Sequence, residues 1–160
     1  MKTILITGST DGIGRETAKQ IAEKGHRIII HGRSEEKAEK LKKELNKINA
    51  EAEHKIAIAD LEFQQAVFNL AKELQEKEQK IDVLINNAGV YQNSLELTDD
   101  QIEKTIAVNY HSHFILTLML IPLLEKSDDP RIISFSSRVH SQQLDPEEIW
   151  KPADVNRSQA

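Results

Sequence analysis

Five short apolar runs alternate with longer segments in which apolar residues recur every three or four positions. The runs occupy residues 1–7, 27–31, 54–59, 81–85 and 131–137. Their nearly continuous Ile, Leu and Val content is typical of strands buried on both faces of a parallel sheet. Helices are predicted between them, over residues 15–22, 35–48, 62–77 and 98–124. This alternation predicts an α/β fold built on a parallel sheet.

Two of the predicted helices have start signals. Ser34 precedes the second helix and is followed by two acidic residues, so its side chain is expected to cap that helix. The fourth helix opens with TDDQ at residues 98–101, which matches a capping box. Both helices are therefore expected to begin at these residues.

A glycine-rich turn, TGSTDGIG in residues 7–14, joins the first strand directly to the first helix. The first N–H groups of a helix have no partner within the helix and carry partial positive charge, so a phosphate bound there gains hydrogen bonds. Glycine permits the close approach of the phosphate and backbone conformations with φ > 0. The turn therefore predicts a phosphate-binding site, although a tight turn without a ligand could use the same residues.

Composition and charge narrow the class of protein. The 160 residues contain 39% hydrophobic and 29% charged side chains, which is typical of one globular domain. A net charge of −5, with basic residues interspersed among acids, argues against nucleic acid or an anionic membrane as a main partner. The apolar run at residues 114–124 is too short for a membrane span and is expected to be a buried helix.

Cysteine and histidine usage bears on compartment and metal binding. The chain has no cysteine, which excludes disulfides and thiolate metal sites and fits a reducing, cytoplasmic compartment. No signal peptide is expected, because the N-terminal apolar run spans only about five residues. His111 and His113 are two positions apart on a predicted helix and point to different faces, so we expect no metal site there.

Three motifs, each at the carboxyl end of a predicted strand, resemble those of the short-chain dehydrogenase/reductase family. Residues 7–14 match its Thr-Gly-x-x-x-Gly-x-Gly pattern, residues 86–89 match its Asn-Asn-Ala-Gly pattern, and serines 136–137 follow the fifth strand where the family has its serine. Residues 12–17 and 137–140 are most similar to retinol-dehydrogenase-like members. The resemblance implies a Rossmann-type, doubly wound NAD(P)-binding domain over residues 1–160. Strand order would be 3-2-1-4-5, with about five strands and four main helices of a larger sheet.

The resemblance also implies which residues would bind the dinucleotide. They are Gly8, Ser9, Thr10, Asp11, Gly12, Ile13, Gly14, Arg33, Ser34, Asp60, Leu61, Asn87, Ala88 and Gly89. Asp60 would accept a hydrogen bond from the adenine amino group, although an Asp between a strand and a helix is also an ordinary N-cap. Asn86 would connect neighbouring strands through its amide.

Arg33 bears on the choice between NADP and NAD. NAD sites usually have an acid at the end of the second strand for the ribose 2′-hydroxyl, whereas NADP sites offer a cation to the 2′-phosphate. Residues 31–34 read HGRS, without an acid, so Arg33 and Ser34 favour NADP. Arg33 could otherwise be a solvated loop residue. Arg15 lies in the first turn of a helix, where the dipole disfavours a cation, and this suggests an anionic partner.

Two residues match catalytic positions of the family. Ser137 would hydrogen-bond the substrate carbonyl and orient it for hydride transfer, with Ser136 as the weaker candidate. Asn109 lies within the fourth predicted helix, where an amide is a mediocre helix former. In the family an asparagine at this place holds a water that relays protons. The alternative for Asn109 is a polar residue on an exposed helix face.

Carbonyl reduction also requires a general acid. The family uses Tyr-x-x-x-Lys, but Tyr91 is followed at the fourth position by Leu95, and Tyr110 by Phe114. Residues 156–160 are similar to the segment that precedes this motif, which implies that the chain stops just short of it. The chain alone is therefore expected to be inactive. Its fifth strand is expected to be an exposed sheet edge, which would favour a homo-oligomer.

Two functional hypotheses follow. The first is the cofactor-binding portion of an NADP-dependent oxidoreductase that interconverts a carbonyl and an alcohol on a small-molecule substrate. The second is a truncated, non-catalytic module for dinucleotide binding or protein interaction. Both require NADP binding, and only the first requires turnover. Neither identifies the substrate.

Overall fold

The computed structural model of the protein describes residues 1–92 and 94–137. The strands are β1 Thr3–Ile6, β2 Arg27–Gly32, β3 Lys55–Ile58, β4 Val83–Asn86 and β5 Arg131–Ser134. The helices are α1 Gly12–Glu23, α2 Glu35–Ile48, α3 Gln64–Lys77 and α4 Lys104–Leu124. The alternation predicted from the hydrophobic pattern is confirmed. The pair Asp145-Pro146 also predicts the start of a short helical turn, and these residues lie outside the described part of the chain.

The five strands form one parallel sheet in the order β3-β2-β1-β4-β5. β1 lies at the centre, with Leu5 opposite Ile29 of β2 on one side and Leu84 of β4 on the other. The chain therefore moves outward from β1 in one direction and then returns to build in the other. This reversal opens a crevice at the carboxyl ends of β1, β2 and β4, the usual place for a ligand in such sheets.

Helices cover both faces of the sheet. In β1, Ile4 and Ile6 pack with α1 and α2, whereas Leu5 packs with α3 and α4. Successive residues of a strand point to opposite faces, so one short strand contributes to both halves of the core. The Rossmann-type, doubly wound arrangement expected from the resemblance is confirmed.

A π-helical turn, Ala107–His111, interrupts α4 between two α-helical segments. Asn109 lies in the middle of this turn, where its side chain bonds to the backbone of Val90 rather than to its own helix. Turns of this type are rare and often lie at functional sites.

The predicted capping box at residues 98–101 is wrong. α4 begins at Lys104, and its N-cap is Glu103, whose carboxylate accepts the N–H of Ile106 at 2.9 Å. Thr98 instead accepts the N–H of Ile102 in a turn where Gln101 has φ of +59°. A positive φ is incompatible with a right-handed helix, so the box residues cannot form its first turn.

Most other boundaries differ from the prediction by one to three residues, and two of these differences concern the end of the sheet where the crevice lies. α3 begins at Gln64 rather than residue 62, and β5 ends at Ser134 rather than residue 137. Phe135 still donates its N–H to the Asn86 carbonyl at 2.9 Å, so the ladder extends one residue past β5. Both elements are shortened at the end that faces the crevice.

By length and composition, α4 could cross a membrane, since it has 21 residues and a window of mean hydropathy 1.4. One such helix is weak evidence, because the core helix of a soluble protein meets the same criterion. Four of its leucines pack against α3 and the sheet: Leu116, Leu120, Leu123 and Leu124. The absence of a membrane partner stays a prediction.

Large apolar side chains are exposed on the other face of α4 and around β5. They are Tyr110, Phe114, Leu118, Ile121, Ile132, Ile133 and Phe135. Within the described residues β5 is an edge strand whose four residues are all exposed, so the expected open edge is confirmed. Homo-oligomer formation stays a prediction.

Candidate functional site

A groove of about 720 Å³ lies over the carboxyl ends of β1 to β4. Its lining consists of Gly8, Thr10, Asp11, Gly12, Ile13, Gly14, His31, Gly32, Arg33, Ser34, Lys37, Asp60, Leu61, Asn87, Ala88, Gly89, Val90 and Val108. The volume lies within the usual range of small-molecule and cofactor sites. Of the fourteen residues expected to bind a dinucleotide, all except Ser9 line this groove.

Glycine occupies positions 8, 12 and 14 of the turn for different structural reasons. Gly8 and Gly12 have φ of +64° and +52°, which side-chain-bearing residues rarely adopt. A Cβ on Gly14 would lie 2.4 Å from both the Asn87 side-chain nitrogen and the Gly8 carbonyl oxygen. A Cβ on Gly12 would meet nothing within 4 Å. Gly14 is thus required by packing, whereas Gly12 leaves space that a bound phosphate could occupy.

Ser9 does not face the groove, and its expected role in cofactor binding is not supported. It is fully buried, and its N–H donates to the His31 carbonyl at 2.9 Å. Its hydroxyl both accepts the His31 N–H at 3.0 Å and bonds to the His31 carbonyl at 3.2 Å. Ser9 therefore fastens the glycine turn to β2, which leaves no donor for a phosphate.

Thr7 joins the glycine turn to the segment after β4. Its buried hydroxyl oxygen accepts the N–H groups of Asn87 at 2.9 Å and Ala88 at 3.0 Å. The Asn87 side-chain amide donates back to the carbonyls of Thr7 at 2.8 Å and Gly8 at 3.2 Å. His113 of α4 lies 3.3 Å from the same hydroxyl through Nε2. The two walls of the groove are thereby held at a constant separation.

His31 bonds to the backbone of the glycine turn. It was not identified as a site residue from the sequence. Its Nδ1 accepts the N–H of Gly8 at 3.1 Å, which places the proton of the neutral ring on Nε2. Burial lowers the pKa of His31 to about 4, and the nearby His113 adds to this effect. Protonation of Nδ1 would replace the acceptor with a donor that faces the Gly8 N–H.

His31 should make stability depend on pH. Because burial holds its folded pKa at about 4, below the unfolded value near 6.5, its contribution is intact above about pH 6.5 and declines as pH falls toward 4. We expect a loss of about 2 kcal/mol between about pH 7 and 5 that His31→Thr lacks, since a hydroxyl can accept the Gly8 N–H without titrating. Urea unfolding at several pH values measures this, and parallel pH profiles for the two proteins would contradict it.

Two cations and a hydroxyl lie at the end of β2. The Arg33 guanidinium is 64% exposed and lies 3.8 Å from the Asp60 carboxylate. Ser34 caps α2, as predicted, by accepting the Lys37 N–H at 3.3 Å. The Lys37 ammonium lies 3.2 Å from the Asp11 carboxylate, across the groove from its own helix. Two cations therefore lie in the groove near the end of β2, and β2 itself ends without an acidic residue.

Lys37 was not identified from the sequence, although a signal was present. A cation in the first turn of a helix opposes the helix dipole, as was noted for Arg15. In the structure Arg15 and Lys37 have different surroundings. Arg15 pairs with Glu44 of α2 at 2.6 Å and does not line the groove, so the suggested anionic ligand for Arg15 is not supported. Lys37 does line it.

Asp60 does not cap α3. Its Oδ1 accepts the N–H of Glu62 at 3.1 Å in the preceding turn, while the first N–H of α3, that of Gln64, donates to Asp100 at 3.0 Å. Its Oδ2 faces Arg33, and Leu61 beside it is buried while lining the groove. Asp60 therefore keeps one carboxylate oxygen toward the groove.

The expected catalytic residues lie outside the groove lining. Asn109 accepts the N–H of Val90 at 2.8 Å and donates to its carbonyl at 2.9 Å, so it fixes the loop after β4. This contact uses both ends of the amide, and Asn109 is also exposed, as the alternative of a polar residue on an exposed helix face expects. Ser137 follows β5 and is exposed. Asn86 bonds to Thr117 of α4 at 3.1 Å rather than to a neighbouring strand, because its amide points to the helix layer.

Within residues 1–92 and 94–137, no group of three or more His, Asp or Glu side chains could hold a metal ion. His113, which was weighed as a ligand, contacts Thr7 instead. Burial lowers the pKa of His113, which keeps the ring neutral for that contact.

Comparisons with known proteins agree with this geometry. The sequence model of the family described as short chain dehydrogenase matches residues 2–146. Dehydrogenase/reductase SDR family member 12 of Bos taurus is 37% identical over 136 residues, which are 85% of this chain and 43% of that protein. Retinol dehydrogenase 11 of Homo sapiens is 36% identical over 139 residues, 87% of this chain and 44% of that protein. The chain thus spans less than half the length of these relatives.

Solved structures show the same fold. A short-chain dehydrogenase from Shigella flexneri, in complex with NADP, superposes with a TM-score of 0.73 at 30% identity. The match covers 85% of this chain and 59% of that one. The described topology, the family match and the similarity to retinol dehydrogenases lead to one assignment. The chain belongs to the short-chain dehydrogenase/reductase family, in its retinol-dehydrogenase-like branch.

Proposed function

We propose that the protein supplies the cofactor-binding portion of an NADP-dependent oxidoreductase that interconverts a carbonyl and an alcohol. The observation that carries the choice of NADP is the pair of cations, Arg33 and Lys37, at the groove end of β2, a strand that ends without an acidic residue of its own. A phosphate attracts both cations, whereas a free ribose hydroxyl would prefer a carboxylate.

The residues present fit a dinucleotide. The open space at Gly12 and the N-terminus of α1 suit the pyrophosphate, and Asp60 faces the groove where adenine would bind. Asn87, Ala88 and Gly89 form the opposite wall. When bound, the nicotinamide supplies or accepts the hydride. The chain itself orients the cofactor and holds the groove rigid through Thr7 and Ser9.

Solved relatives support this choice. Short-chain dehydrogenases from Shigella flexneri and from Escherichia coli CFT073 were solved with NADP and NADPH, and each is about 30% identical to this chain. Similarity at this level makes the same cofactor a reasonable proposal for this groove. The relatives suggest a small-molecule substrate. We also propose a cytoplasmic location, as expected from the composition of the chain.

Ser137 and Asn109 are the proposed catalytic residues of this chain. Ser137 would bind the substrate carbonyl oxygen, and Asn109 would act through the loop at Val90 that forms part of the groove wall. The general acid would have to come from residues other than Tyr91 and Tyr110, since neither is followed by lysine at the fourth position.

Because neither tyrosine is followed by lysine at the fourth position, a second candidate function is also considered. It is a dinucleotide-binding module without catalysis. The chain alone is expected to be inactive under both hypotheses, so spectrophotometric assays of NADPH oxidation with aldehydes, ketones and quinones separate the two when they use the protein expressed from the complete coding sequence. Turnover above the uncatalysed rate identifies the oxidoreductase. Tight NADPH binding without turnover on any of the three classes identifies the module.

The proposed cofactor preference predicts a specific effect of Arg33→Ala. We expect NADPH affinity to fall by about 10- to 100-fold, because a charge-assisted hydrogen bond to the phosphate contributes about 1.5–3 kcal/mol. NADH affinity should change by less than about twofold, since NADH lacks that phosphate. Calorimetric titration with each cofactor measures the ratio. Lys40→Ala is the matched control, because it removes a cation of α2 that does not line the groove. Equal losses for the two cofactors would contradict the phosphate assignment.

A further inference from the structure

The Asp11 carboxylate connects the N-termini of two helices across the groove. Its Oδ1 accepts the N–H of Gly12 at 2.8 Å, and its Oδ2 lies 3.2 Å from the Lys37 ammonium. Gly12 is the first residue of α1, and Lys37 lies in the first turn of α2. All three residues line the groove. One anionic side chain therefore occupies both a backbone donor and a cation of the candidate cofactor site.

These two donors are ones that a phosphorylated ligand would use. The N–H groups at the start of α1 and the cations near β2 are the groups that attract phosphate. The Gly12 N–H and Lys37 lower the pKa of Asp11, in that order of effect, so the carboxylate is ionised at neutral pH. Asp11 thus takes the place that an anion would take.

The pair is weak enough to be exchanged. The side chains of Lys37 and Asp11 are 59% and 81% exposed, and exposed ion pairs contribute little net free energy. A 2′-phosphate carries about two negative charges near neutral pH and offers Lys37 a stronger partner than one carboxylate does. Lys37 also needs no backbone movement to change partner, because its ammonium is carried on a flexible stem.

We propose that Asp11 is a specificity-determining residue that holds Lys37 in the groove and transfers it to the 2′-phosphate when NADP binds. This inference rests on the proposed NADP-binding function and adds a regulatory element to it. Asp11 competes with the phosphate for Lys37 and, once Lys37 has moved, repels the phosphate. NADP affinity is accordingly set below the value that Arg33 and Lys37 would give without Asp11.

The test is Asp11→Asn, which keeps the cap oxygen for the Gly12 N–H and removes the charge. We expect NADPH affinity to rise by about three- to tenfold, and NADH affinity to rise by less than about twofold, because only NADPH gains the released Lys37. Calorimetric titration of the purified protein measures both. Thermal unfolding should be unchanged, since Asn and Asp cap helices equally well.

Three further variants make the result specific: Lys37→Met, the double variant Asp11→Asn with Lys37→Met, and a control. In the Lys37→Met background, Asp11→Asn should raise NADPH affinity by clearly less than it does in the unaltered protein, because no cation is left to transfer and only the repulsion by Asp11 is relieved. Glu73→Gln is the matched control, since it removes one charge from an exposed ion pair with Lys77 far from the groove lining. It should alter neither affinity.

The outcomes separate the two proposals. If the unaltered protein binds NADPH and Asp11→Asn brings no gain, or an equal gain for NADH, the role of Asp11 is overturned while the NADP-binding function stands. If neither the unaltered protein nor Asp11→Asn binds NADPH, the proposed function fails and the role of Asp11 fails with it. A gain that is equally large in the Lys37→Met background also overturns the transfer.

Discussion

Replacing Gly14 with alanine is expected to abolish dinucleotide binding and to lower the free energy of unfolding by about 3 kcal/mol. The new Cβ would lie 2.4 Å from the Gly8 carbonyl oxygen and 2.4 Å from the Asn87 side chain. The first of these is a backbone atom of the same turn, so relief requires the turn itself to move. Movement there would also break the bonds from Asn87 to Thr7 and Gly8 that join β1 to β4.

Gly12→Ala is the matched variant, because it adds the same methyl group to the same turn. Its φ of +52° makes alanine strained, at a cost of about 1–2 kcal/mol, but nothing lies within 4 Å of the new Cβ. The methyl group would instead enter the groove and weaken NADPH binding. Urea unfolding and NADPH titration of both variants test this separation. If the two variants lost equal stability, the packing role assigned to Gly14 would be wrong.

Removal of the Arg27 side chain is expected to have the other large effect, a loss of about 3–5 kcal/mol of stability. Arg27 at the start of β2 makes a bidentate pair with Glu78, which follows α3, and its second contact is 2.9 Å. The two side chains are only 14% and 8% exposed. Arg27→Ala would leave a carboxylate buried without its partner, which costs far more than losing an exposed pair.

Urea unfolding measures this loss, with Lys77→Ala as the control. Lys77 pairs with Glu73 on the surface of α3, so its removal should have little effect on stability. The double variant Arg27→Met with Glu78→Leu should recover most of the stability, because no charge is then left unpaired. A loss below about 1 kcal/mol in Arg27→Ala would show that Glu78 is already well solvated.

These two predictions concern opposite ends of the sheet. Arg27 lies where β2 begins, and there a buried ion pair stabilises the fold without any contact to the groove. The glycines lie where β1 ends, and there the backbone leaves donors and space for a ligand. Stability and binding should therefore respond to different variants, and the contrast between Arg27→Ala and Gly12→Ala is a direct measure of that division.

Much of the fold followed from the sequence, for local reasons. The apolar runs that form β1, β2 and β4 were recognised because a strand buried on both faces tolerates few polar residues. β5 has the same apolar pattern, although its residues are exposed in the described part of the chain. The glycine turn was equally clear, since Gly8 and Gly12 need positive φ and this requirement acts within a few residues. Ser34 was identified as a cap for the same reason, because its bond to Lys37 spans three positions.

Local signals failed in two places, for different reasons. Residues 98–101 have a capping-box sequence, but Gln101 takes a left-handed conformation in a competing short-range turn that bonds Thr98 to Ile102. Asp60 had the sequence context of an N-cap, yet the first N–H of α3 donates to Asp100, forty positions after Asp60. No short-range rule includes that partner.

The same contrast between short-range and long-range interactions explains which features of the candidate site could be predicted from the sequence. By itself, the sequence determined that a glycine-rich turn lies at the end of β1 and that a cation follows β2. Only the tertiary structure decided that Ser9 is fastened to His31, that Arg15 belongs to Glu44, and that Lys37 reaches Asp11. The physical reason is that turns and caps depend on neighbours along the chain. Which charges and donors meet across a groove depends instead on how α1, α2 and the strands pack together.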